Sequence, residues 1–344
     1  MGSIPFAVGR SGRSLIAVFQ GDDLAAAPDP PMRGRTRSHT KLPATPEATV
    51  RDRLLAFRRR GPDWAADLTK AAIITGRIPD GRLAVRFVQV VPGADWADTR
   101  GNCGNALVVA AVHAMRRQGA GAPANLPLIS ANTRQEVTVT ALHGWDAETV
   151  TVQVRFERPA GSITGRLLPT GAPVDRLFVP EVGIMPVSLI DAGNPYVIVA
   201  GERVGLGERS LWQAGESHLH RLELIRQAAA WHLDLPQPSV FPKVAVVTPA
   251  PAWEEADVQA RMVTVPSWHS AFALTGMVCL GAASQIPGTE VYRMAAQGRP
   301  EPGRLVVRHT GGKSAVAVGM APGAPAIAWA ALDQTVTMLG EWEA

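Results

Sequence analysis

The sequence predicts an α+β protein: two pseudo-symmetric β-rich halves, each wrapped round a central helix, with a cleft between them. Three observations carry this. The first is size: 344 residues, 46% apolar and 19% charged, exceed what one core usually needs and suffice for two. The second is repetition at about half the chain length. Lys70-Ala-Ala-Ile-Ile-Thr75 reappears as Lys243-Val-Ala-Val-Val-Thr248, and a further thirty-three residues on come Cys103 and Gly276. The apolar opening, Ile4 to Phe19, reads as a strand and is echoed by Val187 to Val199. Chance likeness between apolar strands is the competing reading. The third is that each half reads as strands with one dominant apolar helix.

Taken in order, the runs Leu83–Val91, Gln135–Leu142 and Val150–Glu157 are strand candidates, set off by Gly, Pro, Asn and Asp. RDRLLAFRRR reads as a short helix whose arginines suit its carbonyl end. Asn105 to Gln118 is a helix apolar almost all round, so it is expected at the centre of its half, with Gly119 placed to terminate it. HLHRLELIRQAAAWHL reads as a half-exposed helix with ordinary histidines rather than a metal site. His113, inside the apolar helix, is expected to be a satisfied core histidine. The domain reading is residues 1–182 and 183–330, with the last strand, about 331–344, returning to the first half.

Composition excludes several classes. No run of about 18 apolar residues is present, the N-terminus lacks a signal-peptide pattern, and two cysteines cannot form a disulfide framework. The expected location is therefore the reducing cytoplasm. A net charge of +4 is only mildly basic, and the arginine clusters at 33–37 and 58–60 read as solvated surface. Gly312-Lys313-Ser314 lacks the upstream glycine of a phosphate loop, and Gly205-Leu-Gly207 lacks the third glycine of a dinucleotide fingerprint. Neither nucleic acid, membrane nor metal is expected as a partner.

The chemistry concentrates at Gly101-Asn102-Cys103-Gly104-Asn105, immediately before the central helix. A helix N-terminus presents unpaired N–H groups and favours anions. The same field promotes a thiolate. Cys103 could then remove a proton beside a carboxylate while the N–H groups hold the developing enolate. A buried structural cysteine in a glycine turn is the alternative.

The GNCGN segment resembles the signature of the 2-methylaconitate cis–trans isomerase (PrpF) family, whose fold is that of diaminopimelate epimerase. Arg166-Leu-Leu-Pro-Thr-Gly171 with Val174-Asp175, Ser188-Leu-Ile-Asp-Ala-Gly-Asn-Pro195, Phe241-Pro-Lys-Val-Ala245, Thr275-Gly276 and Ile286-Pro-Gly-Thr289 resemble further family segments in the same order. The resemblance implies a cofactor-independent isomerase that moves a double bond by a 1,3-proton shift in an unsaturated carboxylate or related carbonyl compound. It implies Cys103 and Lys70 as the acid/base pair. It also implies Asn102, Gly104, Asn105, Arg10, Ser14, Thr275 and Gly276 as substrate contacts, and His309, heading a glycine turn, is a further candidate contact or simply a turn residue. The expected partners are that small molecule and, at most, a second copy of the chain in a homodimer. Symmetric two-thiol chemistry is disfavoured, because Thr275-Gly276 stands where a second cysteine would be and Cys279 reads as core.

Two loops depart from the family pattern. The opening loop, usually R-G-G-T-S-K-G, is Arg10-Ser-Gly-Arg-Ser-Leu-Ile16, and the stretch before Lys70 is Trp64-Ala-Ala-Asp-Leu-Thr without the usual serines. Leu15, Trp64 and Leu68 thus predict a less polar pocket, with Asp67 repelling an anion, and a substrate other than 2-methylaconitate. A proline- and arginine-rich insertion spans about 28–45. Two alternatives remain: a tautomerase or cyclase of a secondary-metabolic intermediate, and a non-catalytic ligand-binding descendant.

Overall fold

A computed structural model describes residues 4–25, 45–91, 97–119, 124–145, 147–237, 239–264, 267–295, 301–322 and 326–343. All but the last residue of the 28–45 insertion lies outside them. The order of elements is β1 (Pro5–Ser11), β2 (Ser14–Gln20), α1 (Gly21–Ala25), α2 (Pro46–Arg60), β3 (Lys70–Arg77), β4 (Leu83–Val90), β5 (Ala97–Asp98) and α3 (Gly104–Arg117). There follow β6 (Asn125–Ser130), β7 (Glu136–His143), β8 (Thr149–Glu157), β9 (Asp175–Val179), β10 (Gly183–Asp191), β11 (Pro195–Ala200) and α4 (Glu216–His232). The chain ends with β12 (Lys243–Pro249), β13 (Val258–Thr264), β14 (Ser267–Trp268), α5 (Leu274–Ser284), α6 (Glu290–Ala295), β15 (Arg304–His309), β16 (Gly312–Met320) and β17 (Ile327–Glu343).

The pairings repeat. β1 and β2 form a hairpin, β2 runs parallel to β3, β3 pairs antiparallel with β4, and β4 runs parallel to β6. The later strands β10, β11, β12, β13 and β15 do the same in the same order. The seventeen-residue β17 joins the two sets. Its start pairs with β16, its middle with β8, and its end, Val336–Glu343, with β1. The first half thereby closes into a ring, β1-β2-β3-β4-β6-β7-β8-β17. In the second half the ring passes through β17 to β8, and a bridge between Ala160 and Ala192 returns it to β10.

Each ring encloses its helix. α3 is buried from Gly104 to His113, with Met115 also buried, and every residue of α5 is buried. Both contribute to one large apolar cluster with the inward faces of the strands. Outside the rings, α2 covers the first half's outer face and α4 the second's, each over its own cluster. Strands covered on both faces read as continuous apolar runs, which is why β2, SLIAVFQ, shows no alternation in sequence. Its side chains nevertheless alternate in space: Ile16 and Val18 point in, Leu15, Ala17 and Phe19 out.

Several expectations meet the structure within a residue or two. The central helix begins at Gly104, and Gly119 adopts φ +62° beyond its end. His113 is buried, its Nε2 3.3 Å from Gln20 Nε2. Two expectations change. The apolar openings of both halves are hairpins rather than single strands, bent at Gly12 (φ +55°) and Gly193 (φ +78°), where a left-handed residue is needed. The second is the register between the halves at the central helices. Cys103 caps α3 and Ala273 caps α5, so the residue matching Cys103 is Ala273, and Thr275 matches Asn105. Counting from the lysines overshot because the connections into the two helices differ in length.

Candidate active site

The cleft forms where the mouths of the two rings face each other, and strand parity decides what enters it. Residues of β3 at even positions, Ala72 and Ile74, point inward, so Lys70 at the start of that strand also lies on the inward face. On β12, Ala245 and Val247 point inward, so Lys243 does the same. Both amines line the cleft together with Cys103, the cap of α3. The room between the walls is small, about 30 Å³, roughly that of one solvent molecule.

On the first wall Lys70 Nζ donates to Ser14 Oγ at 3.1 Å. Asn105 Nδ2 also donates to Ser14 Oγ (3.2 Å), while its Oδ1 accepts from Ser11 Oγ (3.0 Å). Cys103 is partly exposed, and the first helical hydrogen bond is Leu107 N to Cys103 O. That leaves the N–H groups of Gly104, Asn105 and Ala106 without partners inside the helix, at its positive end.

The two walls are tied by amides. Asn102 N–H donates to Asn194 Oδ1 and Asn194 Nδ2 donates back to Asn102 O, both at 2.8 Å. Asn194 Nδ2 also reaches Thr275 Oγ1 (3.1 Å), and Cys103 N–H donates to Asn102 Oδ1 (2.9 Å). Asn102 Nδ2 is buried and without a partner among the described residues. A second tie runs through Asp98, which pairs with Arg100 at 2.9 Å and accepts from Val240 N–H at 3.3 Å. Burial works against its charge, yet the guanidinium and N–H groups hold the Asp98 carboxyl below the usual carboxylate range.

The glycines of the motif answer to packing. A Cβ on Gly101 would fall within the Phe241 ring from the other half, and one on Gly104 would lie 2.7 Å from Leu274 Cβ. A Cβ on Gly276 would meet Phe272 at 2.7 Å, and Gly276 does not line the cleft.

The structure brings Lys70, Asn102, Cys103, Gly104, Asn105 and Thr275 to one cleft, with Ser14 on Lys70. Arg10 is exposed on β1 and is not part of the lining. His309 sits apart, at the end of β15. Its Nδ1 accepts from Gly311 N–H (3.0 Å), so Nε2 carries the proton towards Ser314 Oγ (2.9 Å). Burial, aided by Arg308, lowers its pKa to about 4. Cys279 lies in the core, its Sγ facing the carbonyls of Ala192 and Asn194.

The residues read as making the pocket less polar are not in it. Leu15 follows Ser14 on a strand and so points to the opposite face, into the outer core with Leu68. Trp64 stacks edge-on against Trp342 at 5.2 Å, and Asp67 is on the surface. For Leu15 the alternation of side chains along β2 overrules the loop comparison, and for Trp64, Asp67 and Leu68 the helical turn before β3 does.

Sequence reasoning did not single out Asn194, His269 or Lys243 as site residues. His269 lines the cleft with Nδ1 accepting from Ala271 N–H (3.0 Å), and burial lowers its pKa to about 3. Lys243 was the legible one, since it repeats Lys70 at the head of the matching strand.

Two ring-enclosed helices meeting at a shared cleft define the diaminopimelate epimerase-like fold. A solved methylitaconate-delta-isomerase superposes with a TM-score of 0.69 at 21% identity, covering 100% of this chain and 95% of that one. Within this class, the family described as PrpF protein matches residues 124–339, and the chain belongs to that family. It is 27% identical to the 4-oxalomesaconate tautomerase of Pseudomonas putida over 93% of this chain and 90% of that protein. It is 28% identical to the 2-methyl-aconitate isomerase of Shewanella oneidensis over 48% of each, so the chain spans about half that relative's length in the alignment. These relatives are named as a tautomerase and an isomerase. No helix among the described residues is long and apolar enough to cross a membrane.

Proposed function

We propose that the protein is a cofactor-independent isomerase that moves a double bond by a 1,3-proton transfer in an unsaturated carboxylic acid. The observation that carries this is a single thiol at the N-terminus of α3 sharing a cleft with the Lys70 amine. The helix end turns its unpaired N–H groups towards the site. Cys103 Sγ then takes a proton from the carbon beside a carboxylate, and the electron pair delocalises through the double bond as a dienolate. The unpaired N–H groups of α3 hold the negative charge. Lys70 returns a proton two carbons away, leaving the double bond shifted. Solvent resets the thiol and the amine, so protons and electrons balance.

Charge sets the substrate class. Two lysines line the cleft, and its carboxylate, Asp98, is already paired with Arg100. An anion fits the lysines, and with Leu15, Trp64 and Leu68 outside the cleft its apolar lining comes instead from residues such as Phe87, Phe241 and Leu274. A tautomerisation, in which the transferred proton moves between carbon and a keto oxygen, is the second reading. The Pseudomonas relative favours it, being named a tautomerase over nearly the whole length.

The test is deuterium incorporation from D₂O into a panel of unsaturated mono-, di- and tricarboxylates, 2-methylaconitate included, read by NMR. Exchange at two carbons, each lost selectively in Cys103→Ser or Lys70→Met, is the expected result. Exchange that survives in both variants sinks the assignment, and no exchange across the panel sinks the reaction class.

A further inference from the structure

The second ring carries a pocket at the end remote from the cleft. It lies between the loop of residues 201–210, the end of β12 and α6, and its volume is about 520 Å³. That is room for a small metabolite. β12 starts in the cleft with Lys243, and Thr248 stands five residues further on, so about 16 Å of strand separates the two. Among the described residues none lines both spaces.

The pocket's apolar lining is buried: Leu206, Val247 and Met294. One polar group interrupts it. Thr248 is 2% exposed, and its Oγ1 is without a partner among the described residues. The first half shows that the strand does not force this. Thr75 stands at the matching place, five residues after Lys70, and its Oγ1 donates to Ala84 O at 3.2 Å. A buried hydroxyl left unpaired is unfavourable, and a ligand atom in the pocket would supply the missing hydrogen bond. Gly201 lets the loop lie close over this place. Leu206 N–H donates to Gly201 O (2.8 Å), and a Cβ on Gly201 would run into Leu206 O and lie 2.5 Å from Thr248 Cγ2.

The charges of the lining balance, with Arg209 and Arg293 against Glu202 and Glu208. Arg293 is held in place, its Nη1 donating to Oε2 of the buried Glu290 at 2.7 Å. Glu202 has Arg203 3.8 Å away. Glu208 and Arg209 are exposed and make no ion pair among the described residues. A net anion would meet the two carboxylates, and a net cation the two guanidinium groups. A zwitterion meets an opposite charge at both of its ends.

We propose that this pocket binds a free α-amino acid with an apolar side chain, apart from the reaction in the cleft. The ligand's carboxylate faces Arg209 and Arg293 and accepts from the Thr248 hydroxyl. Its ammonium faces Glu202 and Glu208, and its side chain covers Leu206, Val247 and Met294. No bond is made or broken. The matching end of the first ring is also lined by charges, Asp22, Asp23, Arg77 and Arg117, but the threonine there is already satisfied. The site therefore belongs to the second half.

The experiment is calorimetric titration of the full chain with L-phenylalanine. Glycine lacks the apolar body, 3-phenylpropanoate the ammonium and L-phenylalaninamide the carboxylate. L-Phenylalanine should bind at least about tenfold more tightly than any of the three, as expected when a charged or apolar contact is lost. Glu208→Gln and Arg209→Gln, both at exposed positions, should each weaken it severalfold. Thr248→Val should also weaken it without lowering the melting temperature, since its hydroxyl has no partner among the described residues to lose. Cys103→Ser should leave the affinity unchanged, which places binding outside the cleft. Failure of L-phenylalanine to bind at millimolar concentration would overturn the proposal. So would equal binding of the single-charge analogues, loss of binding in Cys103→Ser, or an affinity that Glu208→Gln and Arg209→Gln together leave intact. Binding is read without turnover, so its failure and a failure of the deuterium exchange that tests the reaction are distinguishable.

Discussion

The two halves share a topology and differ at their helix caps. In the first half the cap is Cys103, followed by Gly104 and Asn105; in the second it is Ala273, followed by Leu274 and Thr275. Both halves supply a lysine from the head of an equivalent strand, one bonded to Ser14 and the other facing Phe241. The hairpin turns differ as well. Ser14 serves the first wall, whereas Asn194 crosses to hold Asn102 and Thr275. A duplicated scaffold thus gives one half a thiol at its helix cap and the other the amide that ties the two walls. The symmetry fixes where side chains stand, and single residues decide what each half does.

The sharpest way to break this comparison is to remove the thiol. Cys103→Ala should lower turnover by a thousandfold or more, as expected for loss of a group acting in proton transfer together with its charge stabilisation. The melting temperature should barely move, since the side chain is partly exposed. Turnover within tenfold of wild type would remove Cys103 from the chemistry.

Next is the contact between halves. Gly101→Ala pushes a methyl group into the Phe241 ring, and an overpacked site of this kind costs about 1–3 kcal/mol. Denaturant unfolding should show that loss, with activity falling further because Asn102 and Cys103 shift with the backbone. Asn194→Ala removes the reciprocal amide bond and leaves buried groups of Asn102 unpaired, at about 1–3 kcal/mol. There kcat should drop more than KM changes, because the cap is displaced rather than the anion sites.

A smaller effect sits on the second half alone. His309 is neutral in the fold, with a pKa of about 4 against the ordinary value near 6.5. Its contribution is therefore complete above pH 6.5 and is lost as pH falls towards 4, amounting to about 2 kcal/mol by pH 5. Thermal unfolding at pH 7 and pH 5 should show that difference shrink in His309→Gln. An unchanged difference would show that His309 is already protonated at pH 5.

The smallest change expected is in substrate choice on replacing the outer-face residues of the first half. Leu15→Met and Trp64→Phe should alter the ratio of kcat/KM for di- over monocarboxylates less than twofold, since both side chains pack away from the cleft. A larger change would return them to substrate recognition.

The sequence by itself determined the strands, the central helices, the two-half plan and which thiol and amine line the cleft. These are written in local signals: apolar runs between turn residues, a glycine-bounded helix start, and a lysine heading two similar strands. Tertiary structure decided which of those residues meet. Leu15 and Ser14 are neighbours in the chain, yet the pleat sends one to the outer core and the other to Lys70. Asn194, in a segment the sequence marks by resemblance without giving it a role, becomes the tie between halves because two hairpins are brought mouth to mouth. Lys243 was visible as a repeat of Lys70, but its exposure to the same cleft, without an anion of its own, depends on how the rings face each other. Contacts across such a seam involve residues about ninety apart or more, and no local pattern encodes them.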